Sequence, residues 1–347
     1  MPNPRVQIDY VLQKQHLTHP ENVHETMYMP SHTEYLVEIM CRMGFKPGMS
    51  FGIDDFALRG QLLNHSSAEV LMVCGVDQHL NREFMTGWKQ VKRDYAVKIL
   101  VVSEPIYSPL AFYIDKHYSA QAHHEKFLAA FVPDIVLYLS AYDVQVAREK
   151  HTHQSLLYSL ADGGLIHFPV LPWEKKRDAL LWLGKTTAWE YTRRKAQWPE
   201  RLSREDQLRF LGGQEQLPVS VYTEQLTFRE CYEMANHYRF QIQPLSGFVF
   251  HSARAVQAAL LQSIPILLLH PDDAELLRIE APFVKPDHNC LVSYEGDHSL
   301  FKKIRDTGHM QHVASHVSEL LEGGTIQSCL RTLGQLLFRH FYPQDGD

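Results

Sequence analysis

The sequence has few of the features that mark secreted, disulfide-rich or membrane-spanning proteins. It contains five cysteines in 347 residues, none in a Cys-x-x-Cys pair, and an odd, scattered set is typical of reduced thiols. No apolar run reaches the ~18 residues that a membrane-spanning helix needs. The first residues, MPNPRVQIDY, lack the apolar segment of a secretory signal. We therefore expect a cytoplasmic protein without a transmembrane segment.

Two further absences concern ligands. The formal net charge of -6 provides no general electrostatic attraction for nucleic acid, although a local basic groove is compatible with it. The 21 histidines invite a metal-site interpretation, yet there is no His-Glu-x-x-His motif and no Asp-x-Asp motif at a strand end. His309 and His312 could share a helix face, but exposed polar helix positions explain them more simply. We expect no metal site.

Short apolar runs alternate with helical patterns along most of the chain. Strands are expected at 70–75, 97–103, 135–139, 165–170, 179–183, 219–222, 240–244, 264–269 and 291–294. Helices are expected between them, including 33–43 and a mostly helical stretch over 142–160. This alternation predicts an α/β protein with parallel sheets that carry helices on both faces. The length is sufficient for two domains with substantial cores.

One stretch, 238–269, combines a strand, a loop, a helix and a second strand. Ser252 can cap the helix, and Arg254 lies in its first turn. A loop that leads from a strand into a helix N-terminus offers backbone N–H groups and a helix dipole to an anion. The pattern predicts a phosphate or diphosphate site. An ordinary βαβ unit with a surface arginine explains it equally well.

This stretch resembles the donor-binding half of GT-B glycosyltransferases, especially the exostosin-like and CgeB-like ones. The matching residues are Ser252, Arg254, Ala258 and the Ile264–Ile266 tripeptide around Pro265. Gln257 stands where these families have a glutamate that usually holds the ribose of the donor, and Gln262 stands where glycine is usual. A glutamine can still hydrogen-bond a diol, although without charge.

The resemblance implies two Rossmann-like domains that face a central cleft. Residues 1–170 would form the acceptor-side domain and residues 171–347 the donor domain. In this architecture the last helix commonly crosses back onto the first domain. The segment LPWEKKRD, residues 171–178, is a plausible hinge. A solvated charge run is its plainer interpretation, and the two are compatible.

Candidate site residues follow from the rule that ligands bind outside the carboxyl ends of parallel strands. In the first domain the candidate bases are Asp77, His79 and Glu104. We favour Glu104 narrowly, because Pro105 restricts it to extended conformations and CgeB-like proteins tend to have an acidic residue and a proline at a similar strand end. A cap on the following helical region, or an ion pair with a neighbouring cation, explains Glu104 at least as well. The candidate donor-binding residues, several of them implied by the resemblance, are Lys185, Arg193, Ser246, Gly247, His251, Ser252, Arg254 and Gln257.

The function implied is transfer of a sugar from a nucleotide-sugar donor to an acceptor, without a metal and without a cofactor other than the donor as co-substrate. The acceptor stays open: a glycan, a lipid-linked saccharide, a protein or a modified DNA base. Two alternatives remain. One is a nucleotide-sugar epimerase of the same fold, and the other is a catalytically inactive GT-B-like binding or scaffold protein.

Overall fold

The computed structural model divides the chain into two compact units. It describes residues 6–12, 32–74, 81–102, 105–108, 120–159, 169–183, 204–212, 218–222, 226, 228–243, 253–294 and 298–343. Within these, residues 6–159 and 326–343 belong to the first unit, and residues 169–325 belong to the second. The domain boundary expected at 170/171 stays a prediction, because residues 160–168 lie outside the described part of the chain.

Strands and helices alternate through both units. The strands are β1 (Gln7–Leu12), β2 (Lys46–Gly52), β3 (Val70–Cys74), β4 (Val97–Val101), β5 (Ile135–Tyr138), β6 (Gln154–Leu157), β7 (Arg177–Leu183), β8 (Val219–Tyr222), β9 (Tyr238–Gln243), β10 (Ile264–Leu269) and β11 (Leu291–Tyr294). The helices are α1 (His32–Arg42), α2 (Ile53–Arg59), α3 (Asn81–Trp88), α4 (Ala120–Phe131), α5 (Ala141–Lys150), α6 (Arg204–Gly212), α7 (Phe228–Ala235), α8 (Ala253–Leu260), α9 (Ala274–Glu280), α10 (Ser299–Arg305), α11 (Thr307–His316), α12 (Leu320–Gly324) and α13 (Ile326–Phe341). Among these described helices, none is both long and apolar enough to cross a bilayer.

The first unit is built on a parallel sheet with the strand order β2-β1-β3-β4-β5-β6. All five residues of β3 are buried, as expected for a parallel strand covered on both faces. On one face, Phe84 of α3 packs against the rings of Phe56 and Phe131, with centroids 5.2 Å and 5.5 Å away. The last helix, α13, also belongs to this unit, where it packs against α1 and β6.

The second unit repeats this design with the strand order β11-β10-β9-β7-β8, again all parallel. Its core includes Trp182, Phe240 and Ile266. In both sheets the first strand along the chain lies between the second and the third, so the order is 2-1-3-4-5-6 in the first unit and 2-1-3-4-5 in the second. This is a doubly wound arrangement, and it confirms the predicted α/β class with Rossmann-like units.

Two expectations need correction. The mostly helical stretch expected over 142–160 is helical only in its first half, because α5 ends at Lys150 and β6 follows at Gln154–Leu157. The charge run near 171–178 is only partly solvated, because Lys176 is 4% exposed. Its ammonium group donates to the carbonyl of Leu261 and to Ser263 Oγ, 3.1 Å away. This buried lysine ties the start of β7 to the end of α8.

Candidate functional site

The strand order of the second unit singles out one position at the carboxyl ends of its strands. In a 2-1-3-4-5 sheet the chain leaves the first and third strands toward opposite faces, which opens a crevice between their ends. Here those strands are β7 and β9, which pair in parallel through Leu180 with Phe240 and Trp182 with Ile242. The crevice therefore lies at the carboxyl ends of β7 and β9, which are followed along the chain by residues 184–203 and 244–252.

Most candidate donor-binding residues lie in these two segments. Lys185 and Arg193 follow β7, whereas Ser246, Gly247, His251 and Ser252 follow β9, and all six are outside the described residues. Arg254 is in the first turn of α8, the helix that begins directly after the β9 segment. The donor contacts assigned to these residues stay predictions.

Gln257 is the candidate whose side chain the structure describes. It lies one turn into α8 and is 7% exposed, and its neighbours Ala255, Val256, Ala258 and Ala259 are buried as well. Its amide nitrogen Nε2 has no hydrogen-bond partner in the described part of the chain. An unpaired buried donor costs about 1–3 kcal/mol. This amide nitrogen is therefore available for a hydrogen bond to a bound molecule.

The structure adds residues at this end of the sheet to which sequence reasoning gave no ligand role. His270 follows β10, where its Nδ1 accepts from the backbone N–H of Asp272 at 3.3 Å. Asp273, next in the same turn, is 3% exposed. The sequence signal is the polar run His-Pro-Asp-Asp directly after a wholly apolar strand, in which the adjacent aspartates Asp272 and Asp273 are explained more simply as helix N-terminal caps than as ligands.

In the first unit, the segments after β3 and β4 carry the candidate bases. Asp77 and His79 follow β3, one of the two strands at the switch point, and Glu104 follows β4, one strand further along. All three are outside the described residues. Residues 105–108, directly after Glu104, are described.

This short segment is fixed by one carboxylate. Asp143 of α5 accepts three successive backbone N–H groups, from Ile106 at 2.6 Å, Tyr107 at 2.8 Å and Ser108 at 2.7 Å. Asp143 is fully buried, and hydrogen bonds to a charged group are among the stronger ones in proteins. The anchor holds the chain immediately after Glu104 in one conformation.

A tyrosine–histidine network extends from the same segment. The hydroxyl of Tyr107 donates to Glu125 at 2.9 Å and lies 2.8 Å from His151 Nε2. The hydroxyl of Tyr138 lies between His124 and His153, 3.0 Å and 3.1 Å away.

Burial governs the protonation of this network. It lowers the pKa of His124 to about 3, with His153 and His151 adding to the effect. It also lowers the pKa of His153 to about 4, with a further contribution from His151. Both imidazoles are therefore neutral at pH 7 and act as hydrogen-bond partners that orient the tyrosines.

Comparison with known proteins shows which solved structures share this architecture. No family model and no curated protein matches the sequence. Among solved structures, an alpha-glucosyltransferase in complex with UDP and a 13-mer DNA containing a HMU base matches with a TM-score of 0.58 at 11% identity, over 95% of this chain and 99% of that one. The Anabaena protein Alr3699/HepE in complex with UDP and glucose matches with a TM-score of 0.55 at 10% identity, over 96% and 99%. The chain thus shares its fold with GT-B glycosyltransferases.

Proposed function

We propose that this protein is a glycosyltransferase that takes a sugar from a nucleotide-sugar donor bound at the carboxyl ends of β7 and β9. The observation that carries the proposal is Gln257, a buried amide without a partner in the described residues, on the helix that leaves this crevice. Two structures with the same fold contain UDP, one of them with glucose. A uridine diphosphate sugar is therefore the donor that we test first.

The donor contacts divide by chemistry. The N-terminus of α8, Arg254, Lys185 and Arg193 would neutralise the diphosphate as the bond to the sugar breaks, which is where positive charge and N–H donors speed the transfer. Gln257 would hydrogen-bond the ribose hydroxyls. Together these groups supply the charge that a metal ion supplies elsewhere, so the proposed transfer needs no metal and no cofactor beyond the donor.

The acceptor side belongs to the first unit. If the reaction inverts the sugar, a base must remove the acceptor proton, and Glu104, Asp77 and His79 are its candidates. The firm anchoring of residues 105–108 supports Glu104, whereas the switch-point position of β3 supports Asp77 and His79. Substitution of the true base, for example Glu104→Gln, removes turnover and leaves UDP affinity unchanged.

Several acceptors suit this chemistry. Solved structures that share this fold include glucosyltransferase complexes with DNA that contains an abasic site or a HMU base. Modified DNA is therefore tested beside glycan, lipid-linked and protein acceptors. We also propose a cytoplasmic location, since all five cysteines are free thiols.

The test is a thermal-shift and calorimetric screen against UDP, GDP, ADP and UDP-sugars. Specific binding raises the unfolding temperature by mass action. Slow hydrolysis of the bound UDP-sugar identifies the transferase. Interconversion of free nucleotide sugars would instead identify an epimerase, and binding without turnover a scaffold.

Gln257→Leu separates binding from folding. It removes an unpaired buried amide, so we expect unchanged or higher stability without ligand, together with an approximately fivefold loss of UDP affinity, from about 1 kcal/mol for one hydrogen bond. The matched control is Gln241→Leu, because buried Gln241 donates to the carbonyl of Ala235 at 3.4 Å. The control loses stability and keeps UDP affinity. Equal UDP affinity in wild type and Gln257→Leu would remove Gln257 from the site.

Arg254→Ala tests the phosphate contact in the same assay. Loss of a charge-assisted hydrogen bond weakens UDP binding by about 1.5–3 kcal/mol. A nucleoside without phosphates, such as uridine, should bind both forms equally. An unchanged UDP affinity would leave Arg254 as a surface residue.

A further inference from the structure

Three histidines of the second unit converge although they are far apart in the sequence. His312 and His316 lie one turn apart on α11, and His288 lies in the turn that precedes β11. One ring nitrogen from each lies within 4.8 Å of the others. The ring centroids of His288 and His316 are 4.2 Å apart. Three imidazole nitrogens so close together form a ligand set for a transition metal.

Two of the rings are oriented by partners of the kind found at metal sites. His316 Nδ1 lies 2.8 Å from the carbonyl oxygen of His312 and 3.0 Å from Ser315 Oγ. A ring that donates Nδ1–H to the carbonyl offers Nε2 to a metal. His288 Nε2 lies 3.0 Å from both carboxylate oxygens of Glu319, which leaves its Nδ1 for a metal. Carboxylate and carbonyl partners of this kind fix the tautomer and the ring orientation of a ligating histidine.

The turn that presents His288 is itself held rigidly. Asn289 is fully buried and bridges the turn, accepting from the N–H of Lys285 at 2.8 Å and donating to the carbonyl of Phe283 at 2.8 Å. Asp287 has a left-handed backbone, with φ of 61°, and its carboxylate is ion-paired with Lys303 at 2.7 Å. The ligand positions are thus set before any ion binds.

The cluster is separate from the donor site. His288 precedes β11, so it lies toward the amino ends of the parallel strands, whereas donor binding is proposed at their carboxyl ends. His312 is exposed and His288 and His316 are half-buried, which leaves an open path for an ion. A metal here would join the turn before β11 to α11 and would take no part in the transfer reaction.

We propose that His288, His312 and His316 bind one divalent transition-metal ion, Zn²⁺ being the expected occupant, with water as the fourth ligand. Imidazole is a good ligand for Zn²⁺, Cu²⁺ and Ni²⁺ and a poor one for Mg²⁺ and Ca²⁺, which prefer oxygen. Sequence reasoning expected no metal, because the three residues form no short motif: His312 and His316 are one helical turn apart, but His288 comes from a separate turn.

The test is calorimetric titration of Zn²⁺ into the untagged full-length chain after chelation and dialysis. We expect one ion per chain, a higher unfolding temperature with Zn²⁺ and no change with Mg²⁺. Co²⁺ should give the visible spectrum of a tetrahedral site with nitrogen ligands. Absence of stoichiometric Zn²⁺ binding, or an equal response to Mg²⁺, overturns the proposal.

The double variant His312→Gln/His316→Gln removes two ligands from solvent-accessible positions and should abolish both stoichiometric binding and the thermal shift. The matched control is His237→Gln, an exposed histidine of the same unit, which should bind Zn²⁺ as the wild type does. Zn²⁺ bound equally by the double variant would show adventitious binding elsewhere and overturn the assignment. UDP binding by the same preparations confirms that they are folded, and if no form binds UDP, circular dichroism replaces this control.

Discussion

Gln262 is a residue whose backbone conformation favours glycine. Its φ is 52°, just after the end of α8, where the N–H of Gln262 bonds to the carbonyl of Ala259 at 3.0 Å and the N–H of Ser263 to that of Ala258 at 2.8 Å. This is the Schellman pattern that closes many helices, and glycine usually holds its left-handed position. It explains why the resembling families have glycine here.

We predict that Gln262→Gly raises the free energy of unfolding of the second unit by about 1 kcal/mol. A non-glycine residue in the left-handed region costs about 1–2 kcal/mol. The larger conformational entropy that glycine loses on folding offsets part of this gain. Urea unfolding measures the change. Gln262→Ala serves as control, because it shortens the side chain and keeps the strained backbone. Equal stability of the wild type and the glycine variant would show that the strain is relieved elsewhere.

At the scale of elements, the anchor between α5 and residues 105–108 has a measurable role. Asp143→Ala leaves three backbone N–H groups without their acceptor, and we expect it to cost about 2–4 kcal/mol of stability, from hydrogen bonds to a charged group. If this segment positions a base at Glu104, turnover falls while UDP affinity stays constant. A steady-state assay with separate UDP binding distinguishes the two effects.

The control lies at the other end of β4. Asp134 accepts the N–H of Lys98 at 2.7 Å and is exposed, so Asp134→Ala should cost less stability and leave turnover unchanged. A loss of UDP affinity in Asp143→Ala that matched its loss of turnover would contradict a role confined to the acceptor side.

Elements were predictable where hydrophobicity alone identified them. The buried strands β3, β4, β5 and β10 are short apolar runs, and such runs between helical patterns are a strong signal. By contrast, β2 contains Pro47, Gly48 and Gly52, which have low strand propensity, and β1 carries Asp9 in its interior. Asp9 is buried because it accepts from the N–H of Met49 at 2.6 Å and from the hydroxyl of Tyr95 at 2.7 Å. Such partners come from distant segments, and no local pattern shows them.

For the molecule as a whole, the alternation of strands and helices in the sequence predicted the two parallel sheets. The position of the crevice at β7 and β9 required the strand order, which only the structure shows. The histidine cluster could not be predicted, since a turn before β11 and a helix after it become neighbours only through packing. The same holds for Lys176, whose burial depends on the carbonyl at the end of α8. Sequence identifies the elements, whereas long-range packing selects the partners of polar groups.

The first unit should also lose stability in acid. Burial holds the pKa of His124 at about 3 and that of His153 at about 4, below the ordinary value near 6.5 of the unfolded chain. Below about pH 6.5 the unfolded chain binds protons that the folded chain excludes. The contribution of these two histidines to the free energy of unfolding is therefore fully present above about pH 6.5. It declines as the pH falls toward about 4, with His124 contributing up to about 1.4 kcal/mol per pH unit.

Urea unfolding between about pH 7 and about pH 5 measures this dependence. His124→Gln, whose amide can still bond the Tyr138 hydroxyl, should flatten the profile. His65→Gln, at an exposed position, should leave it unchanged. A profile as steep in His124→Gln as in the wild type would place the acid sensitivity in other groups.

The membership of α13 in the first unit has a consequence for biogenesis. A ribosome makes the six-strand sheet first and the whole second unit next, and only then the helix that packs on α1 and β6. Phe338 of this helix meets the ring of Phe45 at 5.5 Å, and Gly334 gives Met43 room to approach. Until these contacts form, the part of the first unit that α13 covers keeps an apolar surface exposed. Of the two units, the second can finish folding before α13 is made, and the first is completed only after the second has been synthesised.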